Sequence, residues 1–126
     1  MTEPRCPCGS GGAYDDCCAP IHLAGAGLGR TAEQLMRARY TAYVCRDEEF
    51  LLRSWHTDTR PVRVTFDPDL EWLGLEVVRT EAGSGLDGEG VVEFKARFRR
   101  GGEFLELHET SRFTRVDGEW VYLDGS

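Results

Sequence analysis

The chain has 126 residues, 40% of them hydrophobic and 29% charged, with a net charge of −7; this is enough sequence for one globular domain with a single core. The acidic balance excludes the broad basic face that nucleic acid or an anionic membrane requires, leaving Arg97, Arg99 and Arg100 as a small local patch. No apolar run approaches the roughly eighteen residues of a membrane span and no charged-then-apolar leader opens the chain, so a cytoplasmic setting with reduced thiols is expected.

Residues 1–20 are rich in Gly, Pro and Cys and carry no periodicity, so no regular element is expected there without a cross-link. Four of the five cysteines fall in the stretch Cys6-Pro7-Cys8-Gly9-Ser10-Gly11-Gly12-Ala13-Tyr14-Asp15-Asp16-Cys17-Cys18. Cys6 and Cys8, with Pro7 between them, can aim both sulfurs to one side of an extended turn. The glycines let the backbone fold back, and Cys17 and Cys18 close the site from the other end. In a reducing compartment such a cluster reads as metal ligands before disulfides, and a vicinal Cys17–Cys18 bridge would be strained. Four thiolates converging tetrahedrally suit zinc and leave no open position for water, so a structural zinc ion is the expected cofactor. His22 is the alternative ligand. Cys45 is expected to be a buried apolar side chain.

Residues 21–30 carry three glycines in their last six positions and read as a flexible connection. Thr31 with Gln34 is a capping-box pattern that opens a helix, on which Met36, Tyr40, Tyr43 and Val44 form one apolar stripe with Arg39 at its edge. Asp47 can cap a second helix, with Leu51, Leu52 and Trp55 on one face and Pro61 marking its end. From about residue 62 the period changes to two. Leu73, Leu75 and Val77 alternate with Trp72, Gly74 and Glu76; Val92, Phe94, Ala96 and Phe98 follow. Leu105, Leu107, Glu109, Ser111 and Phe113 share a face, and 120–123 form a last strand. Glycine-rich breaks at 83–90, Gly101-Gly102 and Asp117-Gly118 make the pairing antiparallel. Helices followed by a meander predict an α+β fold, the helices covering one face of a curved sheet.

Glu109 falls on the apolar parity of its strand, where a carboxylate must be paired, hydrogen-bonded or facing a cavity. Arg39, His56 and Arg112 are its candidate partners, Arg112 pointing to the other face if the strand is regular. Arg39, His56 and Glu109 are thus the candidate polar groups of a pocket between sheet and helices; a structural ion pair is the competing reading. No nucleophile–base arrangement can be argued from spacing, which leans away from an enzyme.

The cysteine stretch, from Cys6-Pro7-Cys8-Gly9-Ser10-Gly11 through Tyr14 to Cys17-Cys18, resembles the SEC-C motif, the zinc knuckle that also ends the SecA translocase ATPase. Leu35-Met36-Arg37-Ala38-Arg39-Tyr40-Thr41-Ala42-Tyr43, Ser54-Trp55-His56, Glu71-Trp72-Leu73-Gly74-Leu75, His108-Glu109-Thr110-Ser111-Arg112-Phe113 and Tyr122-Leu123-Asp124-Gly125 resemble the YchJ-like family of bacterial SEC-C proteins. The resemblance implies a knuckle over residues 1–22 and, over 23–126, a cone-shaped domain similar to nuclear transport factor two. The leading functional expectation is a zinc-stabilised interaction module with a protein partner, with no nucleic acid and no membrane involved. A small-molecule-binding or enzymatic cavity is the alternative.

Overall fold

The structure, a computed structural model, describes residues 5–9, 12–14, 17–19, 31–84 and 86–126. The expected connection at 21–30 and His22 lie outside the described residues. Helix α1 spans Ala32–Cys45. Its capping box forms as the sequence predicts: Thr31 Oγ1 accepts from the Gln34 N–H at 3.1 Å, and the Thr31 N–H donates to Gln34 Oε1 at 3.2 Å. The helix stops at Arg46, which adopts a left-handed conformation (φ 58°) and sends its N–H back to Ala42 O and Tyr43 O.

Asp47 caps helix α2, Glu48–Arg53, its Oδ1 accepting from the Phe50 N–H at 3.1 Å. This helix is shorter than expected. It ends at Ser54 rather than near Pro61 because side chains take its last carbonyls: Ser54 Oγ donates to Phe50 O at 2.7 Å and Arg39 Nη1 donates to Leu51 O at 2.8 Å. Phe50 and Leu51 are consequently the residues it buries, while Trp55 has already left the helical register.

Strands β1 (Leu70–Ala82), β2 (Glu89–Arg100), β3 (Glu103–Val116) and β4 (Glu119–Gly125) form one antiparallel sheet in chain order. The β2–β3 and β3–β4 turns each carry two left-handed residues, Gly101-Gly102 and Asp117-Gly118, the conformation a two-residue hairpin of matching twist demands. In β1 the expected alternation fails. The register shifts between Trp72 and Gly74 and again between Val77 and Arg79, so Leu73 and Val78 stand 47% and 44% exposed while Trp72 turns inward with Leu75 and Val77. On β3, Ser111 and Phe113 are buried, but Leu105 and Leu107 lie on the exposed half of the same face. The edge of β4 is covered by the chain leaving α2, for the Tyr122 N–H donates to Ser54 O and the His56 N–H to Tyr122 O, both at 2.8 Å.

The core gathers Leu35, Phe50, Leu51, Val92, Phe113 and Trp120, all fully buried, each stabilising by about 1.5–3 kcal/mol relative to exposure. Helix α1 is buried far beyond one stripe, including Ala38, Arg39, Thr41 and Ala42. It lies between the sheet and the cysteine segment, and that placement creates both sites described next.

Candidate metal centre and the cavity behind it

The cysteine segment folds as a miniature hairpin. Arg5 bridges Ala13, the Cys6 N–H donates to Gly12 O at 2.8 Å, the Gly9 N–H turns back to Cys6 O, and the Cys17 N–H donates to Tyr14 O. These turns bring the sulfurs of Cys6, Cys8, Cys17 and Cys18 within 4.8 Å of one another. Cys8 and Cys17 Sγ are 3.6 Å apart, and Cys17 and Cys18 Sγ 3.9 Å. A zinc tetrathiolate with bonds of about 2.3 Å has sulfur–sulfur edges of about 3.8 Å, so the donor set fits that geometry, and these separations are far too long for a disulfide. Cys6, Cys8 and Cys18 are buried and Cys17 half-buried. A hydrogen bond with Cys8, and then burial, push the Cys18 thiol well above its ordinary 9.0; a cation at the centre of the four sulfurs inverts that preference by favouring thiolates.

The cluster is seated on α1. The Thr41 hydroxyl, fully buried, donates to Cys18 Sγ at 3.5 Å and lies 3.6 Å from Cys6 Sγ, while Arg37 Nη1 donates to Cys8 O at 2.7 Å. Such outer contacts orient thiolate ligands. Cys45, expected to be buried, is exposed instead. It is the last residue of α1, whose final turn is only half covered, and partial desolvation with the Asp47 carboxylate pushes its thiol up, away from a reactive thiolate.

On the other side of α1 is a half-open cavity of about 250 Å³. Arg39 and Tyr43 of α1, Trp55 beyond α2, Trp72 of β1, Glu109 of β3 and Tyr122 of β4 line it, among other apolar groups. Arg39 is 4% exposed. Its Nη1 donates to Leu51 O and to Ser54 Oγ (2.7 Å), and its guanidinium lies 4.8 Å from the Trp55 ring centre and 4.6 Å from that of Tyr122. Burial lowers its pKa to about 10, which leaves it cationic at neutral pH. Glu109, opposite Phe94 in the sheet, accepts from Ser111 Oγ at 2.6 Å. Its side chain lies over Gly125, where a Cβ would fall on the carboxylate and force it aside. Burial, and next the Glu109 charge, raise the Tyr122 pKa to about 12. Arg39 and Glu109 face the same space without an ion pair between them among the described residues.

His56 is not part of this cavity. Its ring Nδ1 accepts from the Asp58 N–H at 3.0 Å while its backbone pairs with β4, which holds it outside the pocket. Arg112 lies on the outer face and pairs with Asp124 (Nε–Oδ1, 2.6 Å). His108 is exposed beside Glu93 at 2.6 Å. Sequence reasoning missed Thr41, whose signal was a hydroxyl to one side of the apolar stripe of α1. It also placed Trp55 and Tyr43 on apolar helix faces as packing residues, since nothing local distinguishes a cavity wall from packing.

A buried four-cysteine cluster on a helix-covered antiparallel sheet defines the class: a SEC-C motif on a domain of the nuclear transport factor two type. The family described as "YchJ, middle NTF2-like domain" matches residues 31–125, and the chain belongs to that YchJ-like family. A UPF0225 protein of Streptomyces coelicolor is 49% identical over 99% of this chain and 97% of its own length, and one of Chromobacterium violaceum is 50% identical over 99% and 94%. Among solved structures, the chain resembles a SEC-C motif containing protein from Rhodopseudomonas palustris (35% identity, TM-score 0.80, 96% of each chain) and one from Psychrobacter arcticus (28%, TM-score 0.74, 94% of this chain and 80% of that one).

Proposed function

We propose that Cys6, Cys8, Cys17 and Cys18 bind one structural zinc ion, and that this zinc-stapled knuckle presents a rigid surface to a protein partner. The observation that carries the reading is the closed, largely buried tetrahedron of sulfurs seated on Thr41. All four ligands come from the protein, so no coordination position is left for a substrate or water. Elemental analysis of protein purified without added metal should return about one zinc per chain; a different metal, or none, removes the reading. Affinity capture with the wild type and with Cys17→Ser tests the second half. A partner retained equally by both counts against the knuckle as the contact surface.

A second reading is favoured by a separate observation. The Arg39–Glu109 cavity holds opposite charges that form no ion pair with each other among the described residues, and a pocket with few convergent polar groups among apolar walls is the usual form of a small-molecule site.

A further inference from the structure

The cavity contains hydrogen-bonding capacity that the described residues do not use. Arg39 spends only Nη1 on protein acceptors, which leaves Nε and Nη2 without a partner. Trp55 Nε1 also has no partner among the described residues, but it is closed off from solvent and adds nothing to the cavity surface. Glu109 accepts one hydrogen bond, at Oε2, and none at Oε1. Unsatisfied polar groups in a half-open apolar site favour any occupant that completes them. The charges limit that occupant. One guanidinium and one carboxylate sum to zero, so a charged ligand would meet its like charge at close range, whereas a neutral one can accept from Arg39 while donating to Glu109. The walls are aromatic: Tyr40 and Trp72 meet edge to face with centres 5.8 Å apart, and Tyr43 lies 6.2 Å from Trp72. Such walls suit a flat ring, and about 250 Å³ suits a small one.

We propose that this cavity binds a small, neutral, planar amide, an aromatic ring bearing a carbonyl oxygen and an N–H on neighbouring atoms, with the carbonyl directed to Arg39 and the N–H to Glu109. The proposal rests on the small-molecule reading of the cavity. Its chemistry occurs both in aryl carboxamides and in the lactam edge of a pyrimidine base.

The test titrates the intact chain with benzamide, uracil, benzoate and benzylammonium, following the indole N–H resonances by two-dimensional NMR, with Trp55→Phe identifying the Trp55 signal. One of the two neutral probes should bind at least about tenfold more tightly than either ion and shift the Trp55 signal; which one it is separates carboxamide from lactam. Glu109→Gln should weaken the preferred amide and strengthen benzoate, because it leaves Arg39 as the net charge of the cavity. Trp55→Phe, which keeps an aromatic wall, should leave the preference for the amide over either ion unchanged. Tighter binding of an ion, or amide affinity indifferent to Glu109→Gln, overturns the amide assignment and leaves a ligand cavity of another class. No binding by any of the four at about 10 mM overturns the assignment and the small-molecule reading together.

Discussion

Thr41 and Arg39 are two residues apart on α1, so they face opposite sides of the helix, and both are almost wholly buried. On the Thr41 side, a hydroxyl meets sulfurs supplied by one short stretch of chain, and the polar groups close on one another around a point where a cation fits. On the Arg39 side, groups from both helices' surroundings and all four strands border an open volume, and part of their bonding capacity is unspent. One helix thus separates a closed site from an open one. A closed set of strong ligands serves stability, since metal ligation is itself folding free energy, whereas an open set leaves room for an occupant.

The sharpest way to break this contrast is to open the closed side. Cys8→Ser should abolish stoichiometric metal binding and expose the Thr41 face of α1; loss of a structural zinc is worth about 10 kcal/mol in isolated zinc peptides. The expected readouts are metal analysis, a large drop in melting temperature and rapid proteolysis before residue 31, while the 31–125 sheet signals persist. If the sheet unfolds as well, the two sides of α1 are one cooperative unit. Arg39→Met attacks the other side. It removes the bonds to Leu51 O and Ser54 Oγ, and should cost about 3 kcal/mol by denaturant titration with metal content unchanged. Gly125→Ala should cost about 1 kcal/mol, because the new methyl displaces the Glu109 carboxylate and removes its hydrogen bond from Ser111, without touching the knuckle.

The smallest effect concerns neither side. Glu48, Glu93, Asp87 and Asp124 are surface carboxylates held below their ordinary 4.5 (Glu) or 3.8 (Asp): Glu48 and Asp87 chiefly by backbone N–H groups, Glu93 by His108 and then Arg79, and Asp124 by Arg112. A lowered folded-state value means the stabilisation is complete above the ordinary value and is lost as pH falls through the folded one. Melting temperature should therefore decline below about pH 4.5. The difference between wild type and Asp124→Asn isolates the Arg112–Asp124 share, since any release of metal in acid is common to both. Screening keeps the effect small.

The caps of both helices were legible from single residues, Thr31 with Gln34 and Asp47, because capping is settled within one turn of chain. The hairpin turns were legible for the same reason. The end of α2 was not, since the side chain that satisfies its last carbonyls comes from Arg39 on another helix. The face of Leu73 was not legible either, because two bulges shift the register of β1 against β2. Glu109 stood out by its parity, but His56, singled out beside it, is drawn away by backbone pairing with Tyr122.

By itself, then, the sequence determined the cysteine cluster, the helix caps and the order of helices before strands, all of which follow from residues within a dozen positions of one another. Only the tertiary structure decided that α1 is enclosed on both sides, that Thr41 supports the sulfurs, and that Arg39, Glu109 and Trp55 share a cavity. Those groups approach through packing of distant segments, and burial, which gives each of them its chemistry, is a property of the assembled layers rather than of any local pattern.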